Sequence, residues 1–151
     1  GVATAPSASW EAIKRKEKKH RSAIGGVPRA LPSLLRAQRV TEKASKVGFD
    51  WASAEGPLDK LQEELAELRE AVAQRDAKAM NHEMGDLLFS LVNLARFVDV
   101  DAESALSATV DRFEQRFGVI EARLAKMGRS VEDADLDELE TLWQAAKNEV
   151  G

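Results

Sequence analysis

Two acidic pairs carry the chemistry that this sequence can do. Glu64 and Glu67 stand three residues apart, and so do Glu83 and Asp86. On an α-helix, residues i and i+3 lie about 60° apart around the axis, so each pair shares a face. A short polar break separates the two runs, Glu63-Glu64-Leu65-Ala66-Glu67 and Glu83-Met84-Gly85-Asp86. Folded back as an antiparallel hairpin, the two helices can bring four carboxylates together. Such a group repels itself unless cations neutralise it, and hard oxygen ligands suit magnesium or manganese.

The helices that must position these acids can be read from their apolar stripes. Leu58, Leu61, Leu65, Leu68 and Val72 form one stripe; Met80, Met84, Leu87, Leu88, Leu91, Ala95 and Val98 form the next. By helical-wheel arithmetic, Glu64 lies roughly 75° and Glu67 roughly 135° from the centre of the first stripe. Glu83 and Asp86 lie roughly 80° and 140° from the centre of the second. In each helix one acid borders the expected core and the other stands a step further out. Either pair alone reads as an ordinary solvated face. Two pairs in matching phase across a short hairpin read equally as solvated faces and as a ligand set in a groove.

The bulk composition narrows the alternatives. The chain has 151 residues, 44% hydrophobic and 32% charged, which fits one soluble helical domain. A net charge of −4 gives no general attraction to nucleic acid or anionic membrane. The sequence has no cysteine, so disulfides, thiolate metal sites and cysteine nucleophiles are excluded. A reducing, cytoplasmic setting is expected. The two histidines, His20 and His82, are too few for histidine-centred metal sites or triads. No apolar run reaches the roughly 20 residues that span a bilayer.

Along the chain, Gly1–Ser9 reads as a disordered tail, and Trp10–Arg21 as a basic linker helix. A nucleic-acid arm is disfavoured there because no stacking aromatics interleave the charges. The tail and linker are assigned to residues 1–27, and the domain to 28–151. Pro32 starts a helix that Gly48 ends. Phe49-Asp50-Trp51 follows, its aromatics read first as a plug for the bundle end and second as a wall for a base or sugar. Helices are expected from Gly56-Pro57 to about Gln74 and from about Asp76 to Val98. Gly85 within the latter suggests a close approach by a neighbour. Asn93, two turns after Asp86, reads equally as an interhelical amide or a ligand contact. Asp101 is a good N-cap for a fourth helix with Leu106, Val110, Phe113, Phe117, Ile120 and Leu124 as its stripe, ended by Gly128. Arg112 and Arg116 share one flank of it and could grip phosphate. Spacing alone favours their pairing with Asp111, Glu114 or the acid cluster. Asp135-Leu136-Asp137-Glu138 looks like a capping box for a last helix with Leu139, Leu142, Trp143 and Ala146. The fold class is all-α: a four-helix core with terminal helices, expected to dimerise through apolar surface that one chain leaves open.

Taken together, Leu31–Gln38, the Val47–Trp51 loop, Glu63-Glu64-x-x-Glu67, Glu83–Arg96 and Arg112–Phe117 resemble the MazG nucleoside triphosphate pyrophosphohydrolases. The likeness runs from about Trp10 to Val150 and is strongest to the C-terminal domain of a two-domain MazG. The acidic motif by itself is shared with other all-α nucleotide pyrophosphatases. The resemblance implies a dimeric all-α fold and magnesium-dependent cleavage of NTPs or dNTPs to monophosphate and pyrophosphate. It implies Glu64, Glu67, Glu83 and Asp86 as Mg2+ (or Mn2+) ligands, with Glu63 in support. It places Lys60, Arg112 and Arg116 as phosphate contacts and Trp143 as a further substrate contact. One departure stands out: relatives often carry a basic residue where this chain has Ala79, with Lys78 beside it.

Cleavage between the α and β phosphates asks chiefly for positioning and charge neutralisation. Glu63 or Glu67 is a candidate to accept the proton of the attacking water. Lys60, Arg112 and Arg116 are candidates to stabilise the leaving pyrophosphate. The rival reading is a helical dimerisation or nucleotide-binding module without turnover. A di-iron bundle is disfavoured because neither pair has the Glu-x-x-His form.

Overall fold

A computed structural model describes residues 10–14 and 22–151. The expected tail at Gly1–Ser9 and most of the basic linker helix lie outside the described residues; residues 10–14 are helical. Five longer helices follow: α1 (Ser33–Lys46), α2 (Glu55–Ala73), α3 (Ala77–Phe97), α4 (Ala102–Lys126) and α5 (Leu136–Glu149). One 3-10 turn, Val131–Asp133, precedes α5, and no strand occurs among the described residues. The chain divides into two compact units, Gly1–Ala102 and Glu103–Gly151.

In the first unit α3 packs against both α2 and α1. Local sequence explains where each helix stops. Gly48 takes a positive φ of 92°, and the N–H of Phe49 donates to the Ala44 carbonyl at 3.0 Å. That closure ends α1 and turns the chain into the aromatic loop. The same closure ends α2 through Arg75 and α3 through Asp99, both non-glycine residues at positive φ. Asp76 then caps α3, its Oδ1 accepting from the Ala79 N–H at 3.1 Å. Gln38 of α1 fastens the turn after α3. Its Oε1 accepts from the Ala102 N–H at 2.9 Å, and its Nε2 donates to the Val100 carbonyl at 3.2 Å.

The core face of α2 differs from the expected stripe. Pro57, Glu64, Leu68 and Ala71 are buried, while Leu58, Leu65 and Val72 are exposed. The packing face is thus rotated towards Glu64, because α3 sits on that side. Likewise Val92 is the buried residue of α3, and Met84, Leu88 and Leu91 are exposed. Gly85 also departs from expectation: a Cβ there would meet no atom within 4 Å among the described residues. The glycine that permits a close approach is Gly56, where a Cβ would lie 2.4 Å from the Trp51 ring.

In the second unit α5 packs on the C-terminal half of α4. Ile120, Leu124 and Ala146 are buried, with Leu139, Leu142 and Trp143 against them. Gly128, φ 68°, ends α4 as expected. The capping box read at Asp135 is half made. Asp135 Oδ1 accepts from the Glu138 N–H at 2.9 Å, but the Glu138 carboxylate pairs with Arg129 instead. That guanidinium holds the Glu138 carboxyl below its ordinary range.

Candidate active site

The hairpin of α2 and α3 brings three of the four acids into one group. Oxygens of Glu64, Glu67 and Glu83 lie within 4.8 Å of one another. Asp86 joins Glu83 and His82 in a neighbouring group of the same span. Glu83 is therefore shared between the two. The burial is graded: Glu64 is 4% exposed, Glu83 and Asp86 are half-buried, and Glu67 is exposed.

The group has more negative than positive charge. Lys60 reaches in from one turn earlier on α2, its Nζ 3.0 Å from Glu64 Oε1 and 3.5 Å from Glu63. Glu64 Oε2 and Glu83 Oε2 are buried with no hydrogen-bond partner. Buried carboxylate oxygens are costly when unpaired. The Glu67 carboxyl is pushed above its ordinary value, first because it hydrogen-bonds Glu83, then by desolvation and by the charges of Glu64 and Glu83. Crowded carboxyls repel one another, and a bound cation would offset that repulsion. Hard oxygens, two of them orphaned, fit a divalent cation such as magnesium.

His82 was set aside on sequence grounds, yet its Nε2 lies 3.2 Å from Asp86 Oδ2. The i, i+4 spacing of His82 and Asp86 was the available signal.

The basic residues divide between the units. Lys60 belongs with the acids. Arg112 and Arg116 lie in the second unit, where Arg112 donates to Thr109 Oγ1 at 2.9 Å and Arg116 donates to the Val150 carbonyl at 3.0 Å. Within their unit neither forms an ion pair among the described residues, so the pairing with Asp111 or Glu114 is not made. Arg116 lies 5.7 Å from the Trp143 ring centroid, and Phe113 packs on the same ring at 5.4 Å. Two of the expected substrate contacts, Arg116 and Trp143, are thus neighbours.

Beside the acids the first unit is hollow. A cavity of about 550 Å³ lies among α1, the 47–51 loop and α3, with Phe49, Trp51, Phe89 and Asn93 in its wall. A smaller one of about 150 Å³ shares Trp51, Phe89 and Asn93 and reaches Lys60. The plugging role read first for the aromatics is not seen at Phe49, which is 81% exposed. Asp50 ties the loop to α3 through a two-pronged ion pair with Arg96, at 2.6 and 3.1 Å. Arg96 holds the Asp50 carboxyl below its ordinary value. Neither the sequence periodicity nor any short motif pairs residues 46 positions apart.

Residues 53–118, which include α2, α3 and the acids, match the family described as the MazG nucleotide pyrophosphohydrolase domain. That stretch carries the likeness to the MazG family. It is 44% identical over 140 residues to the Thermotoga maritima nucleoside triphosphate pyrophosphohydrolase/pyrophosphatase MazG, covering 91% of this chain and 54% of that protein. It is 40% identical over 149 residues to the Escherichia coli K12 nucleoside triphosphate pyrophosphohydrolase, covering 94% of this chain and 56% of that protein. The uncharacterized protein YabN of Bacillus subtilis is 40% identical over 146 residues, 93% of this chain and 29% of that protein. The chain spans about half the length of the first two relatives. No helix among the described residues is long and apolar enough to cross a membrane.

Proposed function

We propose that the chain is a metal-dependent nucleoside triphosphate pyrophosphohydrolase, cleaving NTPs or dNTPs between the α and β phosphates. The observation that carries this reading is the cation-deficient acid group on α2 and α3, with two buried oxygens lacking partners and Lys60 at its edge. The names of the Thermotoga and E. coli relatives support it.

Glu64, Glu67, Glu83 and Asp86 would hold Mg2+, with Mn2+ as a substitute. Bound there, the cation would acidify a water and offset charge on the α-phosphate. The chain's own residues do the rest. Glu63 or Glu67 accepts the proton as the water oxygen bonds to the α-phosphorus. The bond to the bridging oxygen breaks, and pyrophosphate leaves with the electron pair. Lys60, with Arg112 and Arg116 assigned by resemblance, offsets the leaving charge. Trp143 and Asn93 are assigned to the nucleoside. Residues 28–151 form the proposed catalytic domain, and a cytoplasmic setting with a homodimeric state completes the proposal.

The test is to incubate the chain with each common NTP and dNTP, with and without magnesium, and to quantify all phosphate products. Monophosphate plus pyrophosphate is expected, only with metal. Diphosphate plus orthophosphate would place the attack at the wrong phosphorus. Glu64→Ala and Asp86→Ala are each expected to lower kcat/KM by at least about a hundredfold with the helical circular dichroism unchanged. Full activity in either would remove it from the ligand set. A folded chain that turns over no nucleotide would favour the non-catalytic module.

A further inference from the structure

The larger cavity of the first unit is lined by two side chains with uncommitted donors, Trp51 and Asn93, and for Asn93 the structure fixes which atom it is. Arg96 donates to Asn93 Oδ1 twice, from Nη2 at 2.8 Å and from Nε at 3.2 Å. A guanidinium has donors only, so the oxygen of Asn93 must face it, whatever the assignment of the amide. The Asn93 Nδ2 group is left with no protein partner among the described residues. Asn93 lines both cavities, whereas Arg96, which holds its oxygen, lines neither.

Of the other polar side chains of the larger cavity, Thr41 and Asp50 are spent, and the Trp51 indole N–H is a second donor with no partner among the described residues. Thr41 Oγ1 donates to the carbonyls of Ala37 and Gln38 at 2.9 and 3.0 Å. The Asp50 carboxylate accepts from Arg96 and from the Trp51 N–H at 2.8 Å. Arg96 itself is only 11% exposed and is gripped by Asp50 on one side and Asn93 on the other. The 47–51 loop therefore dictates the rotamer of an amide on α3.

We propose that Asp50 and Arg96 are positioning residues that commit Asn93 to donate, so that the cavity accepts a nucleobase bearing a carbonyl at C4 of a pyrimidine or C6 of a purine. This rests on the pyrophosphohydrolase reading of the adjoining acids. The aromatic surfaces of Trp51 and Phe89 suit a planar base. The smaller cavity runs to Lys60, which touches Glu63 and Glu64, so a base seated here has its phosphates on the acid side. A keto oxygen pairs with the Asn93 amino group. An exocyclic amino group in the same place sets donor against donor and leaves both unpaired.

The test compares nucleotides that differ in that group and in the protonation of the ring nitrogen beside it: UTP with CTP, and ITP with ATP. The chain is expected to favour the keto member by about fivefold or more in kcat/KM in both pairs. Asn93→Asp keeps an oxygen for Arg96 and turns an acceptor to the cavity, so the preference is expected to reverse. Arg96→Leu frees the amide to rotate, and the ratio is expected to fall towards one; Arg96→Lys should lie between. A purely structural role would lower all four substrates alike and leave the ratios unmoved. Equal rates in the unmodified chain, or an unchanged ratio in folded Asn93→Asp, would overturn the proposal while leaving the pyrophosphohydrolase reading intact. If Asn93→Asp does not fold, the ratios of the unmodified chain decide. Calorimetry with UMP, CMP, IMP and AMP needs no turnover. Tighter binding of UMP and IMP would uphold base selection even in an inactive chain, and equal or absent binding of all four would overturn it.

Discussion

Glu83 shows how one side chain can hold a site in tension. Its Oε2 is buried without a partner, and its carboxyl neighbour Glu67 titrates above its ordinary value of 4.5 because the two share a hydrogen bond. Folding thus favours protonated Glu67. The stability this supplies is complete below about pH 4.5 and is lost as the pH rises through the folded value. Glu83→Gln replaces the repelling oxygen with an amide donor. The metal-free variant is expected to melt about 2–4 °C higher than the unmodified chain at pH 7, with a flatter pH dependence above pH 4.5. Magnesium should raise the melting temperature of the unmodified chain by mass action and leave the variant unmoved. A lower melting temperature for metal-free Glu83→Gln would mean that the cluster is not under repulsion. At this scale the sequence was informative about type and spacing. The i, i+3 acids could be read directly, and Asn93 fell on the face of Asp86. Burial was not readable, because Glu64 lies inside only by virtue of where α3 rests. Nor was the tie from Asn93 through Arg96 to Asp50, since a partner in a loop 46 residues away leaves no periodic trace.

The helices themselves were largely legible, and their ends explain why. Gly48 and Gly128 marked two closures through the residue type that positive φ favours, and Asp76 and Asp135 marked two N-termini through their carboxylates. Arg75 and Asp99 perform the same closure as the glycines with no composition signal, so those ends were read from loss of the apolar stripe. The close approach expected at Gly85 is made instead at Gly56, at the start of α2. Gly85 has open space around it, whereas Gly56 lies under the Trp51 ring. A glycine at a helix start offers sequence reasoning little to distinguish it from any N-terminal residue, and only the path of the aromatic loop reveals the contact. Gly56→Ala puts a Cβ 2.4 Å from a ring carbon, so the ring or the helix must move. Overpacking costs about 1–3 kcal/mol, and alanine returns about 0.8–1 kcal/mol of helix propensity. A net loss of up to about 2 kcal/mol in a chemical denaturation series is expected. The displaced Trp51 should also emit at longer wavelength in a Trp10→Phe, Trp143→Phe background. Unchanged emission and stability would show that the loop does not rest on this helix.

The whole molecule leaves more apolar surface open than its stripes led one to expect. Leu58, Leu65 and Val72 recur every seven residues on α2, and all three are exposed. Met84, Leu88 and Leu91 on α3 and Leu106, Val110 and Phe113 on α4 are exposed as well. Isolated exposed leucines need no explanation, but rows along three helices do. The same residues that read as core in the sequence are the ones left open, because hydrophobic periodicity reports that a face is buried without saying by which chain. A seven-residue repeat suits an antiparallel or parallel helix partner. A second copy is the partner that the proposed homodimer supplies, and a self-complementary patch would bury each row against another apolar row. The acids lie on the face of α2 turned to α3, so the open row can be altered without touching them. In sedimentation equilibrium the unmodified chain is expected at twice the chain mass. Leu65→Glu places a charge in the middle of the α2 row, and at micromolar concentration it should sediment at the chain mass. If the unmodified chain is already monomeric, or if Leu65→Glu dimerises with undiminished affinity, the α2 row is not the contact between copies.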